Sequence, residues 1–157
     1  MDYWIVMEYT KRRNLNRGCM KLDAWQRGLD LFVTTFRLSN AVADFKLKSQ
    51  FRDAAQSVSA NIAERYGRRS LPEYLQYLYT AKGSVAETLT RAIGLKNIKL
   101  TSDADFEEFD KLHYEVENKL LRLIESLEAK RGTKEWHDTL PPHQSNHPAI
   151  QPSSDSR

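Results

Sequence analysis

Between Phe51 and Glu73 the chain closes one helix and opens another within a few residues, and this constrains the fold more than any other feature. Phe51, Ala54, Ala55, Val58 and Ile62 recur at helical spacing on one face. Gly67 follows and suits the left-handed position after a helix end. Ser70-Leu71-Pro72-Glu73 then reads as a helix start. Ser70 is the N-cap, Glu73 its capping-box partner, and Pro72 sits in the first turn, where its missing N–H costs nothing. So short a connection sends the second helix back beside the first.

The same reading extends in both directions. A first helix is expected over 23–43, with Asp23 as cap, Gln26 as its capping-box partner, and Trp25, Leu29, Phe32, Val33 and Phe36 as its core face. The second covers 47–66, after an Asp44-Phe45-Lys46 connection. The third runs from about 71 to 97 through Leu75, Leu78, Ala81, Val85, Leu89 and Ile93. Thr101 or Ser102 caps the fourth, and Asp103, Asp105 and Glu107 lie at its positive dipole end. That helix runs to about 130 through Phe106, Phe109, Leu112, Val116, Leu120, Leu123 and Leu127. Four amphipathic helices with short connections make an all-α, antiparallel up-down-up-down four-helix bundle. Gly28 and Gly83, inside helices, point to close helix approach.

The bundle accounts for residues 21–131. Residues 1–20 lack a sustained period and read as a disordered extension, with Met20 a plausible alternative start. Residues 132–157, rich in Thr, Pro, His, Ser and Asn, read as a disordered tail. No run of 18 apolar residues exists, so nothing spans a membrane and no membrane partner is expected. The single cysteine, Cys19, excludes a disulfide framework and suits a cytoplasmic protein.

Net charge is only +3, but it is unevenly spread. Residues 22–99 carry a net +5 and residues 100–131 a net −4. The middle helices hold most of the unusual polar residues: Ser57, Asn61-Ile62-Ala63-Glu64, Gly67-Arg68 and Ser70, then Ala81, Gly83-Ser84 and Glu87. This pattern resembles the four-helix bundle proteins encoded in 23S rRNA intervening sequences, over about residues 21–128. The family pattern usually has glycine after Asn-Ile-Ala-Glu, where this chain has Arg65. The resemblance implies a ring-like homopentamer. It extends to the basic accessory bundles of diversity-generating retroelements, which implies a reverse-transcriptase-like protein partner.

Ser57, Asn61 and Glu64 form one stripe on the second helix, and Ser84 and Glu87 another on the third. The expected role is a structural polar network, hydrogen-bonded across helices. A paired-carboxylate site on Glu64 and Glu87 is the minor alternative. Di-iron bundles use Glu-x-x-His motifs, and His113 has Asp110 three residues before it instead. His113 reads as an ordinary half-buried residue, and His137, His143 and His147 match no metal motif. No enzyme, cofactor or metal is expected.

Up-down topology brings the ends of the second and fourth helices to one pole. That pole gathers Arg65, Arg68, Arg69, Lys130 and Arg131, with Tyr66 placed to stack on a base. Such a cluster, repeated in an oligomer, would bind nucleic acid, RNA or an RNA–DNA hybrid, through backbone charge. The alternative is a structural or protein-interaction oligomer with no nucleic-acid role. Tyr74, Leu75, Tyr77, Leu78 and Tyr79 surround most of the third helix, more apolar surface than one bundle face buries, which favours self-association.

Overall fold

The structure, a computed structural model, describes residues 15–66 and 70–131. Four α-helices follow a short N-terminal 3-10 helix: α1 Asp23–Leu38, α2 Phe45–Ala63, α3 Leu71–Asn97 and α4 Asp103–Ala129. Each helix packs on its sequence neighbours, and α4 closes back on α1. Cross-helix contacts set the directions. Asp23 at the start of α1 meets Lys119 late in α4 at 3.1 Å, and Arg37 at its end meets Glu108 early in α4 at 2.6 Å. Arg91 Nη1 donates to Gln50 Oε1 at 3.0 Å, and Tyr74 Oη donates to the Ile62 carbonyl at 3.1 Å, so α2 and α3 are antiparallel. His113 Nε2 lies 2.9 Å from the Val85 carbonyl and Lys96 Nζ 3.4 Å from Asp103, so α3 and α4 are too.

Three helix starts carry side-chain caps. Asp44 Oδ1 accepts from the Leu47 amide at 2.8 Å, Ser70 Oγ from Glu73 at 3.4 Å and Ser102 Oγ from Asp105 at 3.1 Å. The start of α1 departs from expectation. Leu22 holds the N-cap position with no side-chain bond, Asp23 lies within the first turn, and Gln26 Nε2 donates to the Met20 carbonyl at 2.9 Å. Asp23 is therefore an acidic residue at the positive end of the dipole, tied to Lys119, rather than a cap. The helix also stops at Leu38, where a 3-10 turn over Ser39–Ala41 lets Val42 drop into the core.

The core takes Phe51, Ala54, Ala55, Val58 and Ile62 from α2, as expected, with Leu75, Leu78, Ala81 and Val85 from α3. From α4 it takes Phe109, Val116, Leu120, Ile124 and Leu127. In α1 the buried face is Ala24, Gly28, Leu31, Thr35 and Leu38, not the expected stripe. A Cβ at Gly28 would lie 3.3 Å from Ser59 Cβ and Val58 Cγ1, so α1 and α2 approach closely there. Gly83 has nothing within 4 Å of that position and serves no such approach.

This choice of face moves the exposed apolar surface. On α3, Tyr74, Leu75 and Leu78 are buried and only Tyr79, at 46%, stays well exposed among the residues expected to overflow. On α1, Val33 is 44% and Phe36 46% exposed, with Leu29 and Phe32 half-buried beside them. Arg52 of α2 covers part of this stripe. Its guanidinium lies 3.7 Å over the Phe36 ring, with Nε donating to Ser39 Oγ at 2.7 Å and Nη2 to Asn40 Oδ1 at 2.8 Å.

The described chain begins inside the segment expected to be disordered. Leu15–Lys21 forms the 3-10 helix, it packs on α1 and α2, and Cys19 is 4% exposed. The tail 132–157 lies outside the described residues.

Candidate nucleic-acid interface

α2 ends earlier than its glycine suggests. After Ala63, Glu64 has φ −60° and ψ 133°, Arg65 has φ +63°, and the Tyr66 amide donates to the Ala63 carbonyl at 3.2 Å. These are the features of a type II turn, whose third residue needs a positive φ and favours glycine. Arg65 occupies that third position. A glycine would be free of strain at this place, and a β-carbon there carries it.

The turn is tight because Tyr66 must double back into the bundle. Its ring packs edge-on against Tyr74, with centroids 5.9 Å apart. On its other side sits the N-terminal 3-10 helix: a Cβ on Gly18 would lie 2.5 Å from Tyr66 Cε1. Burial pushes the Tyr66 phenol above its ordinary range, and does the same to Tyr74 and Cys19. The half-buried Tyr66 ring thus meets Tyr74 in an edge-to-face contact and Gly18 at its Cε1 edge.

Arg65 is half-exposed, and its partners are acidic and aromatic. It lies 3.8 Å from Glu64 and 3.9 Å from Glu73, ion pairs too long for hydrogen bonds, and 5.7 Å over the Tyr77 ring. Its Nε is shielded from solvent without a hydrogen-bond partner among the described residues. Lys130, the C-cap of α4, and Arg131 are exposed. Beside them Tyr79 donates a short hydrogen bond to Glu128, and the Arg131 charge acts on the same phenol. Tyr77 and Tyr79 are two residues apart, hence about 200° around α3. Arg65 thus flanks α3 on the α2 side, and Lys130 and Arg131 flank it on the α4 side. Among the described residues, the cations of this pole lie on two sides of the first turns of α3. Arg68 and Arg69 lie outside the described residues.

The five residues of the expected polar network make no direct hydrogen bond across helices, although Glu87 reaches α2 through Arg91, whose Nη1 also donates to Gln50. Ser57 Oγ donates to Asp53 O at 2.8 Å, Asn61 Nδ2 to Ser57 O at 2.8 Å and Ser84 Oγ to Thr80 O at 3.2 Å, each within its own helix. Glu87 takes two bonds from Arg91 at 2.6 and 2.9 Å, and Glu64 is half-exposed beside Arg65. These positions lie at the rim of the α2–α3 seam, where one-turn bonds to the helix backbone are within easier reach than a neighbouring helix. Among the described residues no three of His, Cys, Asp and Glu could share a metal ion.

The buried polar contacts are elsewhere. His113 is 3% exposed, not half-buried, and bridges α4 to the Val85 carbonyl of α3. Its place in the series Phe109, His113, Val116, Leu120 was a usable sequence signal. The fit of Gly18 to Tyr66 had none, because the two lie 48 positions apart in the chain. Two acids of the first half of α4 pair with α1: Glu108 with Arg37, and Glu115 with Arg27 at 3.3 Å.

No helix among the described residues is long and apolar enough to cross a membrane. No curated protein matches the chain. A family model, described as 23S rRNA-intervening sequence protein, matches residues 20–122, from the end of the N-terminal 3-10 helix to the last two turns of α4. With more than half of its length matched, and four helices in the arrangement just described, the chain belongs to the 23S rRNA-intervening sequence protein family.

Proposed function

We propose that this chain is a non-enzymatic, self-associating cytoplasmic bundle that binds nucleic acid, RNA or an RNA–DNA hybrid, through the pole where α2 and α4 end. The observation that carries the reading is Arg65. A cation occupies a left-handed position that glycine would fill without strain, and backbone strain of this kind concentrates at functional positions. Lys130 and Arg131 add charge on the far side of α3, and Arg68 and Arg69 continue the α2–α3 connection in sequence. Two basic groups about a helix apart suit a backbone with spaced phosphates, with no base reading required. The family's name links it to an intervening sequence of 23S rRNA, which favours RNA. Service as an accessory to a nucleic-acid enzyme such as a reverse transcriptase is part of the same proposal.

Self-association rests on the α1 stripe of Leu29, Phe32, Val33 and Phe36. Aromatic and β-branched residues at i, i+3, i+4 and i+7 on an outer face suit a second copy. This stripe alone also supports the second reading, an oligomer with no nucleic-acid role. A ring would repeat the basic pole and steepen its attraction for phosphates.

Mobility shift with RNA and DNA at two salt concentrations tests the function. Binding should weaken steeply with salt, and Arg68→Glu with Arg69→Glu should lower affinity for all sequences alike and flatten the salt slope. Undetectable binding at low salt by the intact oligomer overturns the nucleic-acid reading and leaves the scaffold. Light scattering of Phe32→Ser with Phe36→Ser tests the stripe: the mass should fall toward that of one chain, and an unchanged mass moves the interface elsewhere.

A further inference from the structure

α1 and α3 lie diagonally across the bundle and run parallel, since each is antiparallel to α4. The outer face of α3 is distinctive. Gln76, Tyr79, Gly83, Ala86, Thr90 and Ile93 recur at alternating steps of three and four residues, all are exposed, and none is charged. The outward line of α4 shows the ordinary pattern, with Glu107, Lys111, Arg122 and Glu125. An uncharged repeat of this period is the seam along which another helix packs. Tyr79 and Ile93, 46% and 42% exposed, stand near its ends. Between them the surface is low. A Cβ on Gly83, or on Gly94 beside the seam, would have nothing within 4 Å, so no contact within the described chain calls for either glycine. Glycine inside a helix weakens it relative to alanine and suits places where another backbone comes close.

The α1 stripe of Leu29, Phe32, Val33 and Phe36 has the matching form, large apolar residues at the same spacing. It leans toward α2, whose Arg52 covers Phe36, whereas the α3 seam leans toward α4, where Tyr79 bonds Glu128. The two therefore face opposite sides of the bundle. They also stand at one height. Asp23 and Arg37 meet Lys119 and Glu108 of α4, and His113 of α4 meets Val85, so residues 29–36 of α1 lie level with about residues 85–92 of α3. Charge agrees along the edges nearer α2. Arg52 pairs with no carboxylate among the described residues, and the Gln50–Arg91 contact puts it level with Glu87. Glu87 takes both Arg91 hydrogen bonds on Oε1, which leaves Oε2 for a second donor. Along the edges nearer α4, Lys82 comes level with Gln26 and Asp30; Asp30 holds Arg27, and Arg37 is held by Glu108.

We propose that α1 of one copy docks along the α3 seam of the next, the two copies being related by rotation about an axis parallel to the helices. The inference rests on the self-association reading and names its two surfaces. Leu29, Phe32, Val33 and Phe36 lie over Gly83, Ala86 and Thr90, and Arg52 reaches Glu87 across the contact. The contact is heterologous: each copy gives one face and receives on the opposite one. It sets the α2–α4 pole of every copy on the same side of the assembly, where their cations line up for a phosphate backbone. A stripe-to-stripe dimer would leave the α3 seam unused.

Light scattering of the full chain and two variants tests this. Phe32→Ser with Phe36→Ser blocks the giving face. Gly83→Arg with Thr90→Arg blocks the receiving face, at exposed positions. Each variant alone should show the mass of one chain. An equimolar mixture should show twice that mass, since one intact stripe meets one intact seam and the other faces are blocked. Such complementation also shows that both variants are folded. Thr90→Arg alone should weaken association by at least about tenfold, because it buries an unpaired charge, with an unchanged helical circular-dichroism signal. A parent of one-chain mass at every concentration overturns the self-association reading and this inference with it. A parent that associates while the Gly83/Thr90 variant keeps the parent mass overturns this inference alone. So does a mixture of the two helical variants that stays at one-chain mass or regains the parent mass.

Discussion

Replacing Lys99 by glycine should stabilise this protein, and replacing it by alanine should not. Lys99 has φ +60° in the turn that ends α3. The left-handed region costs a residue with a β-carbon about 1–2 kcal/mol. Glycine removes that cost but gives back about 0.4–1 kcal/mol through its freer unfolded chain. The Lys99 side chain is exposed and makes no ion pair among the described residues, so little else is lost. The net gain is about 0.5–1 kcal/mol for Lys99→Gly. Lys99→Ala keeps the strain and should stay within about 0.5 kcal/mol of the parent. Thermal melts at one fixed protein concentration should show the glycine variant about 2–4 °C higher and the alanine variant unmoved. The usual order, in which alanine is the more stabilising of the two, is reversed. An alanine variant as stable as the glycine one would refute the argument and mean that the turn carries no strain.

Three further outcomes are expected. Gly18→Ala places a carbon 2.5 Å from Tyr66 Cε1, so the N-terminal 3-10 helix or the ring must shift. Stability should drop by about 1–3 kcal/mol, and Cys19 should react faster with a thiol reagent. Thr35 is fully buried and its hydroxyl has no partner among the described residues, so the near-isosteric Thr35→Val should raise stability by about 1 kcal/mol in urea melts. Cys19, Tyr66 and Tyr74 are all raised above their ordinary values of 9.0 and 10.0, so the folded protein holds protons that the unfolded chain releases. Their contribution is complete below about pH 9 and is lost as pH rises past it. Tyr66→Phe should make the alkaline fall shallower, measured by melting temperature against pH.

The helices and most of their buried faces were legible because propensity, capping and periodicity agree. Ser70 and Ser102 cap where their sequence places them, and the α2 and α4 seams bury nearly as read. α1 was misread for a physical reason. It carries two apolar stripes about 130° apart, both at helical spacing. The one with the larger residues, Leu29, Phe32, Val33 and Phe36, invites assignment to the core. The other, Ala24, Gly28, Leu31, Thr35 and Leu38, wins because its small residues let α1 lie close to α2. Periodicity measures spacing, and a face suited to another copy has the same spacing as a core. The end of α2 was misplaced because Gly67 looked like the stop. Tertiary packing decides instead: Tyr66 is drawn back against Tyr74 and Gly18, and Arg65 takes the strained turn. Among the described residues, that Arg65 lies on one side of α3 and Lys130 and Arg131 on the other follows from which sides Tyr77 and Tyr79 face, a matter of rotation rather than composition.

His113 has a mechanical consequence. Close-packed, interdigitated apolar side chains already resist sliding between bundle helices. The ring nitrogen of His113 and the Val85 carbonyl, 2.9 Å apart and buried, add a polar penalty to any slide between α3 and α4. A slide of one residue strands both polar atoms in the interior. The pair acts as a dowel near the middle of the two longest helices. A load applied along α3 is therefore shared with α4 at this point.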